Sequence, residues 1–164
     1  MLQQSAIENR RHRIAFIEAL SSDSGPRREL KKDLQYLGED YASLISIAAN
    51  MASHYKWIPY PFITNRLRKI ADDLRSNAEL VRVKIVELGG VPPQVSLQTR
   101  EDVDFRGNVR RLVSDMEEHA SRSEAFVHQK NNMTDRDVIR LVDFLASEMQ
   151  RRNEELLDIV MRLS

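Results

Sequence analysis

Cysteine is absent from this chain of 164 residues, and glycine and proline occur only five times each. Without cysteine there is no disulfide, thiolate nucleophile or zinc-thiolate cluster, as is typical of a protein in a reducing cytoplasm. So few glycines and prolines do not fit a turn-rich β-sandwich, and they leave room for long uninterrupted helices. We therefore expect an all-α fold and a cytoplasmic location.

The chain also lacks a net charge, because 25 lysine and arginine residues balance 25 aspartate and glutamate residues. A neutral chain has no long-range field that would attract nucleic acid or an acidic membrane, so we expect neither partner. The longest stretches without charge, such as residues 42–53, are too short to span a bilayer. Residues 1–20 carry charged side chains where a signal peptide would be apolar.

Familiar enzyme motifs are missing as well. The sequence has no nucleophilic serine motif, no phosphate-binding glycine loop and no dinucleotide fingerprint, so ordinary hydrolase and transferase activities have no residues to support them. It does have hydrophobic residues at 41% of its positions, which is enough to give one compact domain a buried core. Motifs therefore assign no catalytic residue and no cofactor.

The glycines and prolines divide the chain into a leader and a larger unit. The sequence Ser-Ser-Asp-Ser-Gly-Pro at 21–26 ends a first helix, which predicts an N-terminal amphipathic helix over residues 1–24 and a bundle over residues 25–164. The leader carries an apolar stripe that could pack against a neighbouring subunit or against the flank of the bundle. The stripe consists of Leu2, Ala6, Ile7, Ile14, Ile17, Ala19 and Leu20.

Four long helices are expected after the leader, at about 26–55, 61–88, 104–130 and from 134 onward. Thr134, with Asp137 three residues later, resembles a capping box at the start of the last helix. Each helix has a stripe at heptad-like spacing that predicts its buried side. These stripes are Leu30, Leu34, Leu37, Tyr41, Leu44, Ala48, Met51 and Tyr55; Leu67, Ile70, Leu74, Asn77, Val81 and Leu88; Val109, Leu112, Val113, Met116, Ala120, Ser123 and Val127; and Val138, Leu141, Val142, Leu145, Met149, Arg152, Leu156, Ile159 and Leu163.

The connection between the second and third of these helices is unusually long. Residues 89–103 carry no helical period, and that length can cross the whole bundle. The sequence therefore predicts two helical hairpins joined by a crossover, the arrangement seen in ferritin-like folds.

Short sequence motifs resemble ferritins and bacterioferritins in the expected order. Residues 77–92, Asn-Ala-Glu-Leu-Val-Arg-Val-Lys-Ile-Val-Glu-Leu-Gly-Gly-Val-Pro, are similar to a stretch that starts at a ligand histidine in that family and ends in a Gly-Gly-x-Pro-like stop. The first helix adds Leu-Gly-Glu-Asp at 37–40, with Trp57 at a similar distance behind it. The resemblance covers residues 30–164 and implies a ferritin-like four-helix bundle.

The resemblance also implies a di-iron centre, but the ligands that the family uses are not all present. Each hairpin should supply one carboxylate from its first helix and a Glu-x-x-His pair from its second. Neither donor helix contains Glu-x-x-His, and His12, His54, His119 and His128 lie elsewhere. We expect His119 to be solvated or packed between helices, and we interpret the site as degenerate.

Two alignments with the family's ligand pattern remain, one residue apart. The first places carboxylates at the four ligand positions Asp40, Asp73, Asp115 and Glu148, with Ser76 and Arg151 at the histidine positions. The second places Tyr41, Leu74, Met116 and Met149 at the ligand positions, with Asn77 and Arg152 at the histidine positions. The helical stripes favour the second alignment, whereas the Leu-Gly-Glu-Asp motif and Trp57 favour the first on helix 26–55.

On the second alignment the six residues form a central plug that holds no metal. A buried Arg152 needs acidic partners there, and we expect them to be Glu148 and Asp115, with a further hydroxyl from Tyr41. On the first alignment, iron would bind among the four carboxylates as the alternative. Three of those carboxylates are aspartates, whose side chains are short for bridging two metals, and Arg151 would add a competing positive charge.

Three functional hypotheses follow. We favour a ferritin-like structural or interaction protein that has lost its ferroxidase centre and is not an enzyme. The alternatives are a ferroxidase or iron-storage subunit with an atypical carboxylate site, and a regulatory helical bundle that only resembles the family. The resemblance also implies at least a homodimer through the outer faces of the first two bundle helices. The apolar residues outside the stripes of those helices would lie in that contact, namely Tyr36, Ile45, Ile47, Trp57 and Phe62.

Overall fold

The protein is described by a computed structural model, which covers residues 25–53, 60–97, 105–130 and 133–163. Four helices account for most of these residues: α1, Gly25–Ser53; α2, Pro61–Glu87; α3, Phe105–Gln129; and α4, Arg136–Leu163. The described ranges contain no strand. The predicted all-α bundle is confirmed, and the helix predicted for residues 1–24 lies outside the described residues.

Helix α2 begins and ends where its sequence signals predict. Pro61 occupies the first turn, where its missing N–H costs no hydrogen bond. At the other end Gly89 adopts a φ of +83°, a left-handed conformation that favours glycine. The N–H of Gly89 donates to the carbonyl of Val86 at 3.0 Å, and the N–H of Gly90 donates to the carbonyl of Ile85 at 2.9 Å. This Schellman motif ends the helix.

The start of α4 differs from the predicted capping box. The backbone N–H of Asp137 donates to the side chain of Asp135 at 2.8 Å, whereas Thr134 is buried. Asp135 is therefore the residue that caps the helix. The prediction was wrong by one position because the chain enters the helix at Arg136, and Thr134 is used for packing instead.

Ion pairs between helices establish the antiparallel order. Asp33 near the start of α1 contacts Lys130 just after α3, and Asp40 contacts His119 one level further along. The end of α2 lies beside the start of α1, because a Cβ on Gly90 would be 2.8 Å from the Leu34 side chain. The chain therefore leaves α2 at the end of the bundle where α3 finishes.

The connection from α2 to α3 must consequently run the length of the bundle. Helix α3 has 25 residues and is about 38 Å long at 1.5 Å per residue. Pro93 lies against the middle of α1, with its ring 3.8 Å from the position that a Cβ on Gly38 would take. The predicted long crossover is confirmed and follows α1 over its described part.

Helix α1 buries a wider surface than its single stripe predicted. A second row, Asp33, Asp40 and Ile47, is buried beside the row that contains Leu37 and Leu44. The reason is that a helix in a four-helix bundle packs against two neighbours, here α2 and α3.

This wider burial changes the predicted contact with another subunit. Ile47 is 3% exposed and belongs to the core, so placing it on an outer face was wrong. Tyr36 and Ile45 are partly buried and pack on the core, whereas Phe62 is 65% exposed. Trp57 lies outside the described residues.

Candidate functional site

The middle of the bundle, where the family resemblance places a metal centre, is filled with apolar side chains. Leu74 of α2, Met116 of α3 and Met149 of α4 are fully buried in one continuous core. Tyr41 of α1 is partly buried and packs against that core. Thioether and hydrocarbon side chains at close packing leave little volume and few hard oxygen ligands for iron.

The two positions that would hold histidines carry Asn77 and Arg152, and both are buried. The Arg152 guanidinium forms a salt bridge with Asp73 of α2. Its Nη1 donates to Glu155 Oε1 at 2.9 Å, and its Nη2 lies 4.0 Å from Glu148 Oε2. Arg152 is therefore the centre of an acidic cluster between α2 and α4.

The sequence anticipated only part of this cluster. Glu148 is one of its members, as expected, but Asp73 and Glu155 lie closer to the guanidinium. The i,i+3 spacing of Arg152 and Glu155 was a usable signal. The contact with Asp73 was not readable, because it depends on how α2 and α4 are rotated against each other.

The four carboxylates of the first alignment do not converge on one point. Asp40 lies between α1 and α3, where it pairs with His119. Asp73 pairs with Arg152 in the contact between α2 and α4, and Glu148 receives a hydrogen bond of 3.0 Å from Arg151. Asp115 is half-buried on α3. Across 25–53, 60–97, 105–130 and 133–163, no three His, Asp or Glu side chains are grouped to hold a metal ion.

This arrangement does not fit a di-iron centre. Two of the carboxylates are already neutralised by basic partners, and a guanidinium that stays protonated in proteins lies among the acids of the α2–α4 contact. A metal would have to displace Arg152, which has no second acidic environment to enter without crossing the core. The disagreement with the family pattern is therefore one of charge as well as of missing histidines.

The pair of Asp40 and His119 was not expected from the sequence. Both side chains are almost completely buried, at 4% and 1% exposure, and His119 Nε2 contacts Asp40 Oδ1. The signal that could have found it is the row at seven-residue spacing, Asp33, Asp40 and Ile47, which marks a second buried side of α1. His119 is thus packed between helices, one of its two expected environments.

Two further polar contacts continue along the same α1–α3 seam. Tyr36 donates its hydroxyl to Ser123 Oγ at 2.9 Å, and Ser123 donates to the carbonyl of His119 at 2.9 Å. Lys130 Nζ lies 2.7 Å from Asp33 Oδ1. We name Asp33–Lys130, Tyr36–Ser123 and Asp40–His119 the polar seam.

Burial changes the proton affinity of two groups in the polar seam. Burial raises the pKa of Tyr36 well above that of a free phenol, and the nearby Asp40 carboxylate raises it further. Burial also raises the pKa of Asp33, an effect that the ion pair with Lys130 opposes only in part. The Tyr36 ring stacks on Phe126 at a centroid distance of 4.0 Å, so this tyrosine is held rigidly as a packing group.

The polar seam and the Arg152 cluster can hold helices in register but offer no reactive group. Every basic member faces a carboxylate, so the net charge of each contact is small or negative. Pairs of this kind specify which helix faces lie together more than they add stability. Their chemistry is that of structural contacts.

Comparison with known proteins supports the fold. No protein-family model matches the sequence, and no curated protein matches it significantly. A solved structure described as a ferritin-like, diiron-carboxylate protein from Bacillus anthracis str. Ames is similar, with a TM-score of 0.71 and 18% sequence identity. The match covers 80% of this chain and 97% of that chain.

At this identity the likeness concerns the fold, and it confirms the ferritin-like four-helix bundle expected from the sequence motifs. The helices of the described residues include none that is both long and apolar enough to cross a membrane.

Proposed function

We propose that this protein is a ferritin-like bundle without a ferroxidase di-iron centre and that it acts as a non-catalytic structural or interaction protein. The observation that carries the proposal is the position of Arg152. Its buried guanidinium occupies a place where the family resemblance puts a histidine ligand, and it pairs with Asp73 of the facing helix.

A fixed positive charge at this position has the role that a metal would otherwise have. Carboxylates that face each other in a bundle repel, and a cation between them relieves the repulsion. Arg152 supplies that cation permanently, whereas iron would need nitrogen ligands that Asn77 and Arg152 do not offer. The bundle can therefore be stable and complete without a cofactor.

Iron binding and ferrous iron oxidation test the proposal directly. The full chain, purified without chelator, should contain iron far below one atom per chain and should not oxidise added ferrous iron faster than buffer does. A ferritin of known ferroxidase activity, assayed in parallel, shows that the assay works. About two irons per chain, the content of a di-iron centre, would contradict the proposal.

The alternative function is an iron-binding oxidase or storage subunit that uses Asp40, Asp73, Asp115 and Glu148. It is favoured by the similarity of the fold to a solved structure described as diiron-carboxylate and by the presence of one of these acids on each helix. The variants Asp73→Asn and Glu148→Gln distinguish the two functions. If iron binds and both variants abolish binding, the alternative is correct.

We also propose that the protein forms at least a homodimer in the cytoplasm. Tyr60 and Phe62 at the start of α2 are 56% and 65% exposed, and a second subunit would cover them. Sedimentation at micromolar concentration should show a dimer or a larger assembly, and a monomer at that concentration would contradict this. The cytoplasmic location rests only on the lack of cysteine.

A further inference from the structure

The carboxyl end of α2 carries an exposed apolar patch. Leu80, Val83 and Val86 are 47%, 41% and 52% exposed, and Val91 just beyond the helix is 88% exposed. On a helix, residues three apart are neighbours, so these side chains form one contiguous surface. We name these four residues the α2 patch, and a contiguous surface of this kind marks a contact with another element.

The rim of the α2 patch is charged but neutral overall. Arg82 donates from Nε to Glu79 Oε2 at 2.8 Å, and Lys84 Nζ lies 2.8 Å from Glu87 Oε2. Each charge on this side of α2 is thus compensated on the same helix. A neutral rim does not attract a strongly charged partner, and it fits an amphipathic helix of low net charge.

Residues 1–24 of this chain have that composition. They contain three arginines, Arg10, Arg11 and Arg13, against three acids, Glu8, Glu18 and Asp23. Their last apolar residues, Ile14, Ile17 and Leu20, are spaced i, i+3, i+6, the same spacing as Leu80, Val83 and Val86. Two helical stripes of equal width can pack against each other over about two turns.

The chain connection allows this contact. The end of α2 meets α1 at Leu34, nine residues from Gly25, which is about 14 Å of helix rise. The five residue steps from Leu20 to Gly25 reach up to about 17 Å when extended. The leader therefore joins α1 within reach of the α2 patch.

We propose that residues 1–24 dock as an amphipathic helix on the α2 patch of their own bundle, with Ile14, Ile17 and Leu20 against Leu80, Val83 and Val86. The docked leader covers the largest exposed apolar surface of α2. This contact is independent of the metal question, because it lies outside the central layer.

Thiol labelling in the full-length protein tests the docking, and the absence of native cysteine makes each introduced thiol unambiguous. Val83→Cys is compared with Ser121→Cys, a control at an exposed position of α3. The thiol at position 83 should react about tenfold more slowly, corresponding to ~1.4 kcal/mol of protection. Adding Ile14→Asp and Ile17→Asp should raise its rate to that of the control. Equal rates without these changes, or no recovery with them, would overturn the proposal.

A disulfide test identifies the occupant. The double variant Ile17→Cys, Val83→Cys should oxidise to a cross-link within one chain, whereas Ile17→Cys with Lys69→Cys, at an exposed position earlier on α2, should not. A cross-link found only between two chains, or protection of position 83 that is lost on dilution, would show that a second copy covers the patch. Either result would overturn docking within one chain.

Discussion

Replacing Arg152 by leucine is the most direct test of the interpretation of the central layer. The side chain of Arg152 is 9% exposed, and those of its acidic partners Asp73, Glu148 and Glu155 are 32%, 21% and 34% exposed. In Arg152→Leu the three carboxylates lose the cation that they share. They remain close to a core that cannot solvate them fully.

The expected loss of stability follows from this burial. Removing one partner of a fully buried ion pair costs about 3–5 kcal/mol. Partial solvation of the three acids and the extra apolar contact of leucine reduce this, so we expect a loss of about 2–3 kcal/mol. In a domain of this size such a loss lowers the melting temperature by about 5–10 °C.

Its neighbour Arg151 provides a matched control. Arg151 also pairs with Glu148, at 3.0 Å, but its side chain is 58% exposed. Arg151→Leu should therefore cost between 0 and about 1 kcal/mol. Urea unfolding followed by circular dichroism, at one fixed protein concentration, measures both variants against the unchanged protein.

A double variant separates lost pairing from lost packing. Arg152→Leu combined with Asp73→Asn should recover part of the loss, because the stranded acid of α2 is then neutral. If Arg152→Leu is no less stable than Arg151→Leu, the guanidinium is not a buried cation among acids. The reasoning about the central layer would then fail.

Three further predictions concern contacts between helices. His119→Leu should cost about 3–5 kcal/mol because it strands the buried Asp40, and urea unfolding equal to that of the unchanged protein would refute this pair. Burial raises the pKa of Tyr36, so the folded state holds this proton more tightly and stability should fall above about pH 10. Urea unfolding across that range should show a smaller fall in Tyr36→Phe than in the unchanged protein. Gly90→Ala would place a Cβ 2.8 Å from Leu34 and should cost about 1–3 kcal/mol in thermal unfolding, whereas an unchanged melting temperature would argue against the contact.

The apolar side of each helix and the ends of the helices were largely readable from the sequence. Stripes at heptad spacing place Leu37, Leu74, Met116 and Met149 in the core, where the structure has them. The Gly-Gly pair at 89–90 predicts the end of α2 because only a left-handed residue there completes the Schellman motif. These signals are local, since they depend on residues within one or two helical turns.

The polar contacts were not readable in the same way. Asp40 and Tyr41 are adjacent, and their directions differ by about 100° on the helix. The pattern of α1 alone favoured Tyr41 as the inward residue, yet Asp40 is the more deeply buried of the two. Its burial depends on His119, which a different hairpin brings to the same level of the bundle.

What the sequence by itself determined is the number of helices, their apolar sides and the long crossover, because helical periodicity and turn chemistry act over short distances. Which charges pair was decided only by the tertiary structure. The salt bridge between Arg152 and Asp73, like that between Asp40 and His119, needs two helices at a particular distance, rotation and level. Those three quantities are set by packing of the whole core, so no stretch of sequence around either residue contains them.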